Sequence, residues 1–252
     1  MILQRARFFK SARMISTLVG RPGQVYKPVR VIYKHPNKKP EFNIYLASGK
    51  DNTAFVLKPV PRSIFEHSQE LKQEFGNVRQ IRHHVDEDER KHILVYDYAT
   101  SNVLEMINDC LPLPLQTRKT ILKEVGLALK DMHARNWIHL DVKPDNVFID
   151  WVVNMETKFC LEKVQLGDLD CALKLIGTNL LNQKIGNVMW QSPEGQLGRG
   201  MGKHSEVFSF GLLVSQTFNP YGTPFSNNMV TFSVFLCSQA LNRFTPTSRV
   251  YL

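Results

Sequence analysis

The chain has 252 residues, 43% of them hydrophobic and 22% charged, with only 14 Gly and 13 Pro. These values exclude collagen, coiled coil and disorder, and they leave room for one large domain or two small ones with a sizeable core. The longest apolar run, Val230 to Leu241, contains Thr231, Ser233, Ser238 and Gln239, and it falls short of the roughly 20 residues that cross a bilayer. The formal net charge of +9 sits at one end: residues 1–40 carry ten of the 32 Lys and Arg and no acid, leaving 22 basic against 23 acidic residues in the rest. A basic arm on a neutral body does not read as a nucleic-acid binder.

Met1 to Gly20 combines Arg5, Arg7, Lys10 and Arg13 with Phe8, Phe9, Ile15 and Leu18, the composition of a mitochondrial transit peptide. The alternative is a basic terminus that touches nothing specific. No apolar stretch follows the first charges, so a secretory signal is not expected. Cys110, Cys160, Cys171 and Cys237 are scattered, without the spacing of a zinc site or the density of a disulfide framework, which predicts reduced thiols inside a cell, cytoplasmic or mitochondrial, and no secretion.

Strand-like texture begins at Tyr26 to Tyr33, followed by a turn at His35 to Pro40 and a second strand at Phe42 to Ala47. Ser48 to Asn52 are turn formers, and Ala54 to Val60 forms the third strand. In Phe65 to Arg82, Leu71, Phe75, Val78 and Ile81 recur at helical spacing, and Ile93 to Tyr98 returns to strand. The first hundred residues therefore predict a small antiparallel sheet with one helix against it. A helix from about Gln116 to Ala134 carries Ile121, Val125, Ala128 or Leu129, and Met132 on one face. Short strands follow at Val147 to Ile149 and Phe159 to Leu166, and a helix from about Ser205 is apolar all round, which predicts burial in a helical core.

The sharpest local signal is Trp137 to Asp150, WIHLDVKPDNVFID. Phosphoryl transfer needs a carboxylate to orient a hydroxyl and accept its proton, a cation near the moving phosphate, and an oxygen ligand for magnesium. Asp141, Lys143 and Asn146 supply these in one loop. Here the chain resembles the eukaryotic protein kinase family, whose catalytic loop reads H-R-D-x-x-x-x-N, and Lys143 matches the lysine typical of its serine/threonine members. The resemblance covers about Tyr26 to Thr217.

The resemblance implies an α+β fold in two lobes: a small antiparallel β-sheet N-lobe with one helix, at 26–100, and a mainly helical, incomplete C-lobe, at 101–217. Residues 1–25 are then a basic leading segment and 218–252 an atypical tail. Phe55 to Lys58 fits the family's V-A-I-K strand, which makes Lys58 the holder of the α- and β-phosphates, with Glu74 as its partner and Glu70 one turn earlier on the same face. Gly167 to Asp170 stand where the family has D-F-G. Asp168 is the implied magnesium carboxylate, preferred over Asp150, which lies only four residues after Asn146. The long gap between Asn146 and Asp168 implies an extended hairpin around Val152 to Lys158. Asp97 to Ala99 would line the adenine, with Tyr96 behind the pocket. Ser192, Pro193 and Glu194 match A-P-E, and Glu206 to Gly211 resembles D-x-W-S-x-G, with a glutamate whose extra methylene puts its support of the catalytic loop in doubt.

Several departures matter. His35 to Pro40 has no glycine where the family has its phosphate loop; Lys38 and Lys39 there are either compensating charges or solvated surface lysines. Asp170 replaces a glycine that tolerates positive φ, which implies a restricted flip. Leu140 replaces the arginine that receives an activating phosphate, so control by phosphorylation of the following segment is not expected. After Thr217 no acidic residue follows, a pattern expected of a truncated or alternatively spliced product. The implied function is ATP- and Mg²⁺-dependent transfer to serine or threonine hydroxyls of a protein substrate. A pseudokinase or scaffold that binds without turnover, and a small-molecule phosphotransferase, are the alternatives; Lys143, Pro144 and the SPE triplet oppose the last.

Overall fold

The structure is a computed structural model that describes residues 17–218 apart from 22, 38, 110–112 and 154–158. Two compact units emerge: the first takes the described residues up to Lys72 together with His83–Tyr98, the second Gln73–Arg82 and the described residues from Ala99 onward.

The first unit is built on a six-stranded antiparallel sheet. Its strands are β1 (Leu18–Val19), β2 (Val25–Tyr33), β3 (Ile44–Ser48), β4 (Ala54–Pro59), β5 (Asp86–Asp88) and β6 (Ile93–Asp97), in the order β1-β2-β3-β4-β6-β5. Alternation along the strands divides the residues between two faces. One face buries Leu18, Tyr26, Tyr45, Ala47, Leu57, Ile93 and Val95 as a continuous core. The other carries Leu94, which packs with Val60 and with Phe65 of helix α1 (Arg62–Phe75).

The two edges of this sheet meet. The Arg21 amide donates to Asp86 Oδ1 at 3.1 Å and the Tyr26 hydroxyl to Asp86 Oδ2 at 2.9 Å. A Cβ on Gly20 would stand 1.7 Å from Asp86 Oδ2, so this approach requires glycine. Next to it, Glu87 receives His84 Nε2 at 2.9 Å, Gln69 Nε2 at 3.0 Å and the Arg21 guanidinium at 2.7 Å. The buried acids of β5 are thus paired, as buried charges must be. Burial, with Lys72 and His83 nearby, pushes the His84 imidazole down to about 4 against the pull of Glu87.

Sequence periodicity carried the first helix to Arg82; it ends at Phe75. Gly76 and Asn77 interrupt it, and Val78 and Ile81 continue to bury themselves through successive turns, Val78 N–H to Phe75 C=O at 2.8 Å and Ile81 N–H to Val78 C=O at 3.1 Å. Apolar spacing of three is met equally by such turns.

The second unit holds β7 (Ser101–Asn102), α2 (Val103–Asn108), α3 (Leu115–Ala134), β8 (Trp137–Ile138), β9 (Val147–Val153), β10 (Phe159–Leu166), β11 (Leu173–Lys174), α4 (Pro193–Leu197) and α5 (Lys203–Phe218). Helix α3 buries Ile121, Leu122, Val125, Ala128, Leu129 and Met132, and α5 buries Phe210, Leu212, Leu213 and Val214. Strands β9 and β10 pair antiparallel over seven residue pairs, from Phe159↔Val153 to Leu166↔Val147, and β8 pairs with β11. Phe218, the first residue of the expected tail, ends α5; residues 219–252 and the basic leader up to residue 16 lie outside the described residues, as do residues 154–158 of the expected hairpin. The fold is the α+β type, with an antiparallel sheet in one unit and mainly helical elements in the other.

Candidate active site

Between β8 and β9 the chain makes a short loop that ends in a 3-10 turn, Pro144–Asn146. Proline at the first position of that turn fixes φ and starts it. His139 is fully buried and fastens the loop: its Nδ1 accepts from the Asp141 amide at 3.2 Å, so its protonated Nε2 donates to the Gly167 carbonyl at 3.0 Å. One imidazole thereby ties the loop to the strand end that precedes Asp168.

Asp141 is the hub. Its Oδ2 receives Lys143 Nζ at 2.9 Å and Asn146 Nδ2 at 2.9 Å, and its Oδ1 receives the Asn187 amide at 3.1 Å. Asn146 Nδ2 also donates to the Asp141 carbonyl at 2.8 Å. With its nitrogen so committed, Asn146 has its carbonyl oxygen left to offer, the donor type that magnesium takes. Lys143 also stands 3.5 Å from Asp145. Burial draws the Lys143 ammonium down, but the Asp141 hydrogen bond and the charges of Asp141, Asp145 and Asp168 outweigh it and leave it above an ordinary lysine. Burial raises the Asp145 carboxyl despite Lys143.

Asp168 lies in the left-handed region, φ 59°, and caps the 3-10 turn Leu169–Cys171, with Leu169 buried. The positive φ thus falls at Asp168, two residues before Asp170: among the described residues with positive φ are Asp168 and Leu140, and not Asp170. The negative charges of Asp141, Asp168 and Asp170 add to burial in pushing the Cys171 thiol up to about 11, so it is not a thiolate nucleophile.

The loop is supported from beneath by α5. Glu206, itself 2% exposed, accepts from the His139 and Leu140 amides with Oε1, the second at 2.6 Å, and meets His133 Nε2 with Oε2 at 2.6 Å. The extra methylene does not forfeit the support that sequence reasoning doubted; it lets one carboxylate span two amides and a histidine. Ser205 Oγ donates to Glu194 Oε1 at 2.8 Å, and Ser209 Oγ donates to the Trp190 carbonyl at 2.6 Å. Ser192 caps α4, and Pro193 opens it. Burial opposes ionisation of Glu194, but backbone and Ser205 hydrogen bonds, Ser192 and His204 hold its carboxyl below the usual range.

Residues 49–244 match the protein kinase domain family. The chain belongs to the protein kinase family. It is similar to a dual specificity protein kinase, shkA, of Dictyostelium discoideum, 28% identical over 56% of this chain and 26% of that protein. A probable serine/threonine-protein kinase of the same organism is 30% identical over 44% of this chain and 29% of its own length. Developmentally-regulated protein kinase 1, also from Dictyostelium discoideum, is 26% identical over 80% of this chain and 30% of that protein. The chain spans under a third of each of these relatives. The family match begins later than the resemblance seen in sequence and runs past Thr217.

The kinase-domain residues named from sequence fall in both units. Asp141, Lys143, Asn146 and Asp168 gather in the second. Lys58 stands mid-strand in β4 opposite Leu94, on the face against which α1 packs, and Asp97 is exposed at the end of β6. Ala99 is the first residue of the second unit after that strand. Glu74 sits in the last turn of α1, where the structure sets Arg135 at 3.8 Å and Lys174 at 3.6 Å beside its carboxylate. Tyr96, expected behind the adenine pocket, packs with Phe65 and Leu94 and edge-on to His84. Asp150, set aside as a metal ligand, accepts from Thr100 N–H at 2.9 Å. Sequence reasoning missed Asn187, Ser205 and His133. Asn187 acts through a backbone amide, which no letter reports, while Gly186 beside it was a readable turn signal. Among the described residues no three His, Cys, Asp or Glu side chains form a metal cluster, and no helix is long and apolar enough to cross a membrane.

Proposed function

We propose that this kinase domain transfers the γ-phosphoryl group of ATP to serine or threonine hydroxyls of a protein substrate. The observation that carries this reading is the Asp141 carboxylate, held on both oxygens by Lys143, Asn146 and the Asn187 amide, with Asp168 close enough to act on Lys143. Asp141 orients the acceptor hydroxyl and takes its proton as the oxygen bonds to the γ-phosphorus and the bond from that phosphorus to the bridging oxygen breaks, releasing ADP. Lys143 neutralises the charge on the moving group. Asn146 and Asp168 offer the two oxygen donors that would hold magnesium, whose chemistry when bound is to neutralise the phosphate oxygens. Lys58 holds the α- and β-phosphates, and Asp97 and Ala99 meet the adenine; these roles rest on the family pattern. The basic leader favours the cell interior, cytoplasm or mitochondrion.

A second reading, a nucleotide-binding scaffold without turnover, has one observation in its favour. The segment between β2 and β3 contains no glycine and turns through Pro40–Phe42, with the His35 amide held by Asn43 Oδ1 at 3.0 Å. Backbone amides there have no glycine to bring them close to phosphate.

Calorimetric titration of ATP with magnesium, beside a transfer assay with labelled ATP and generic protein and aminoglycoside acceptors, separates these. The proposal expects binding and label on protein, both weakened in Asp168→Asn. Binding without label supports the scaffold, and label on aminoglycoside alone rejects protein as the acceptor.

A further inference from the structure

Leu140 has a place in this molecule that the catalytic roles do not absorb. It precedes Asp141 and holds φ 66°, a conformation that costs a leucine energy and persists only where its surroundings impose it. Three contacts impose it. Its amide is held by Glu206, its carbonyl faces Gly186 so closely that a Cβ there would stand 2.0 Å away, and its side chain is buried. The backbone on either side of the side chain is thus fixed, which aims the isobutyl group in one direction.

That direction is the segment that runs from Asp168 to Glu194. Leu140 packs in a cluster with Ile138, Leu175 and Met201, against which Leu173, Leu181 and Ile185 lie partly buried. Other apolar side chains between them face solvent, Ile176 at 81% exposed and Val188 at 64%. Backbone bonds secure the same stretch, Leu175 N–H to Asn136 C=O at 2.7 Å, and Leu181 and Met201 exchanging bonds of 2.8 and 2.9 Å. The stretch from Cys171 to Gln191 has a single hydroxyl side chain, Thr178, exposed in a turn.

We propose that Leu140 is a positioning residue that docks the segment Leu173–Met201 onto the catalytic loop by apolar contact, and so sets the Asn187 amide that holds Asp141 Oδ1. That positioning role rests on the phosphotransferase reading; the docking itself does not. Closure by apolar burial is indifferent to charge, so a phosphate on Thr178 is not needed to order the segment.

Hydrogen exchange on the full chain, freshly treated with phosphatase, tests this without any turnover. In the wild type the Leu175, Leu181 and Met201 amides are expected to be protected. Leu140→Ala and, from the opposite side of the contact, Leu181→Ser should speed exchange at least tenfold across Leu173–Met201 while α3 amides stay unchanged, and Leu140→Met should restore protection. Confined loss in Leu140→Ala with rescue by methionine supports the proposal, as does confined loss in Leu181→Ser where Leu140→Ala fails to fold. Any other pattern, unchanged protection or a loss spread evenly over the chain in both variants, overturns it. Absence of transfer in the labelled-ATP assay with confined loss here would sink the kinase reading alone.

Discussion

Glu206 shows how much one buried carboxylate can organise. It sits under the catalytic loop and leaves neither the His139 nor the Leu140 amide without an acceptor. Replacing it by alanine would orphan both amides in a buried site, at about 1–3 kcal/mol for each. We expect Glu206→Ala to lower the denaturant midpoint of the chain well below that of Glu206→Gln, which keeps one acceptor oxygen; equal midpoints would contradict this account. At this scale the sequence was most informative where partners are neighbours. His139 to Asn146 is one continuous stretch, so the chemistry of its letters could be weighed together. Asn187 was invisible because its contribution is an N–H common to nearly every residue, and His133 because its partner lies far along the chain.

Among the elements, β5 is the clearest case of tertiary context overriding propensity. Asp-Glu-Asp is poor strand material, and the spacing gave no reason to pair it with β6. What makes it a strand is the cluster that receives its acids: Tyr26 and the Arg21 amide on Asp86, His84, Gln69 and Arg21 on Glu87. Leu18, which had read as part of a leader, is fully buried in the same unit's core. Leu18→Ser should therefore cost about 2 kcal/mol or more of stability, measured by calorimetric unfolding, whereas a leader that touches nothing would show no change.

The same unit should respond to acid. His84 faces Lys72 from α1, Glu87 from β5 and Tyr96 from β6, with His83 beside it in the chain. Its folded pKa, about 4, lies below the ordinary 6.5, so the unfolded chain binds more protons between those values. The stability this group contributes is full above 6.5 and is lost as pH falls toward 4. Calorimetric unfolding across that interval should show a decline that is shallower in His84→Gln; parallel declines would contradict the assignment.

For the whole molecule, the division of labour between the two units follows from their composition. The first is strand-rich and held by a sheet whose edges meet; the second places the acids, amide and amine of the candidate site on a loop supported by α5. The kinase pattern was legible because its motifs are short and carry charge, and the hairpin β9–β10 because the excess length before Asp168 had to go somewhere. Of the support beneath the site, Glu206 was legible from its motif, whereas Ser205 and Ser209 were not, since they act from a helix that periodicity described only as apolar. In the proposed reaction Asp141 takes the acceptor's proton. The most direct test of this step is the rate of label transfer from ATP by Asp141→Asn beside the wild type: asparagine keeps the size and loses the base, so a fall of at least about 100-fold is expected, with ATP binding retained. Equal rates in the two proteins would contradict the account.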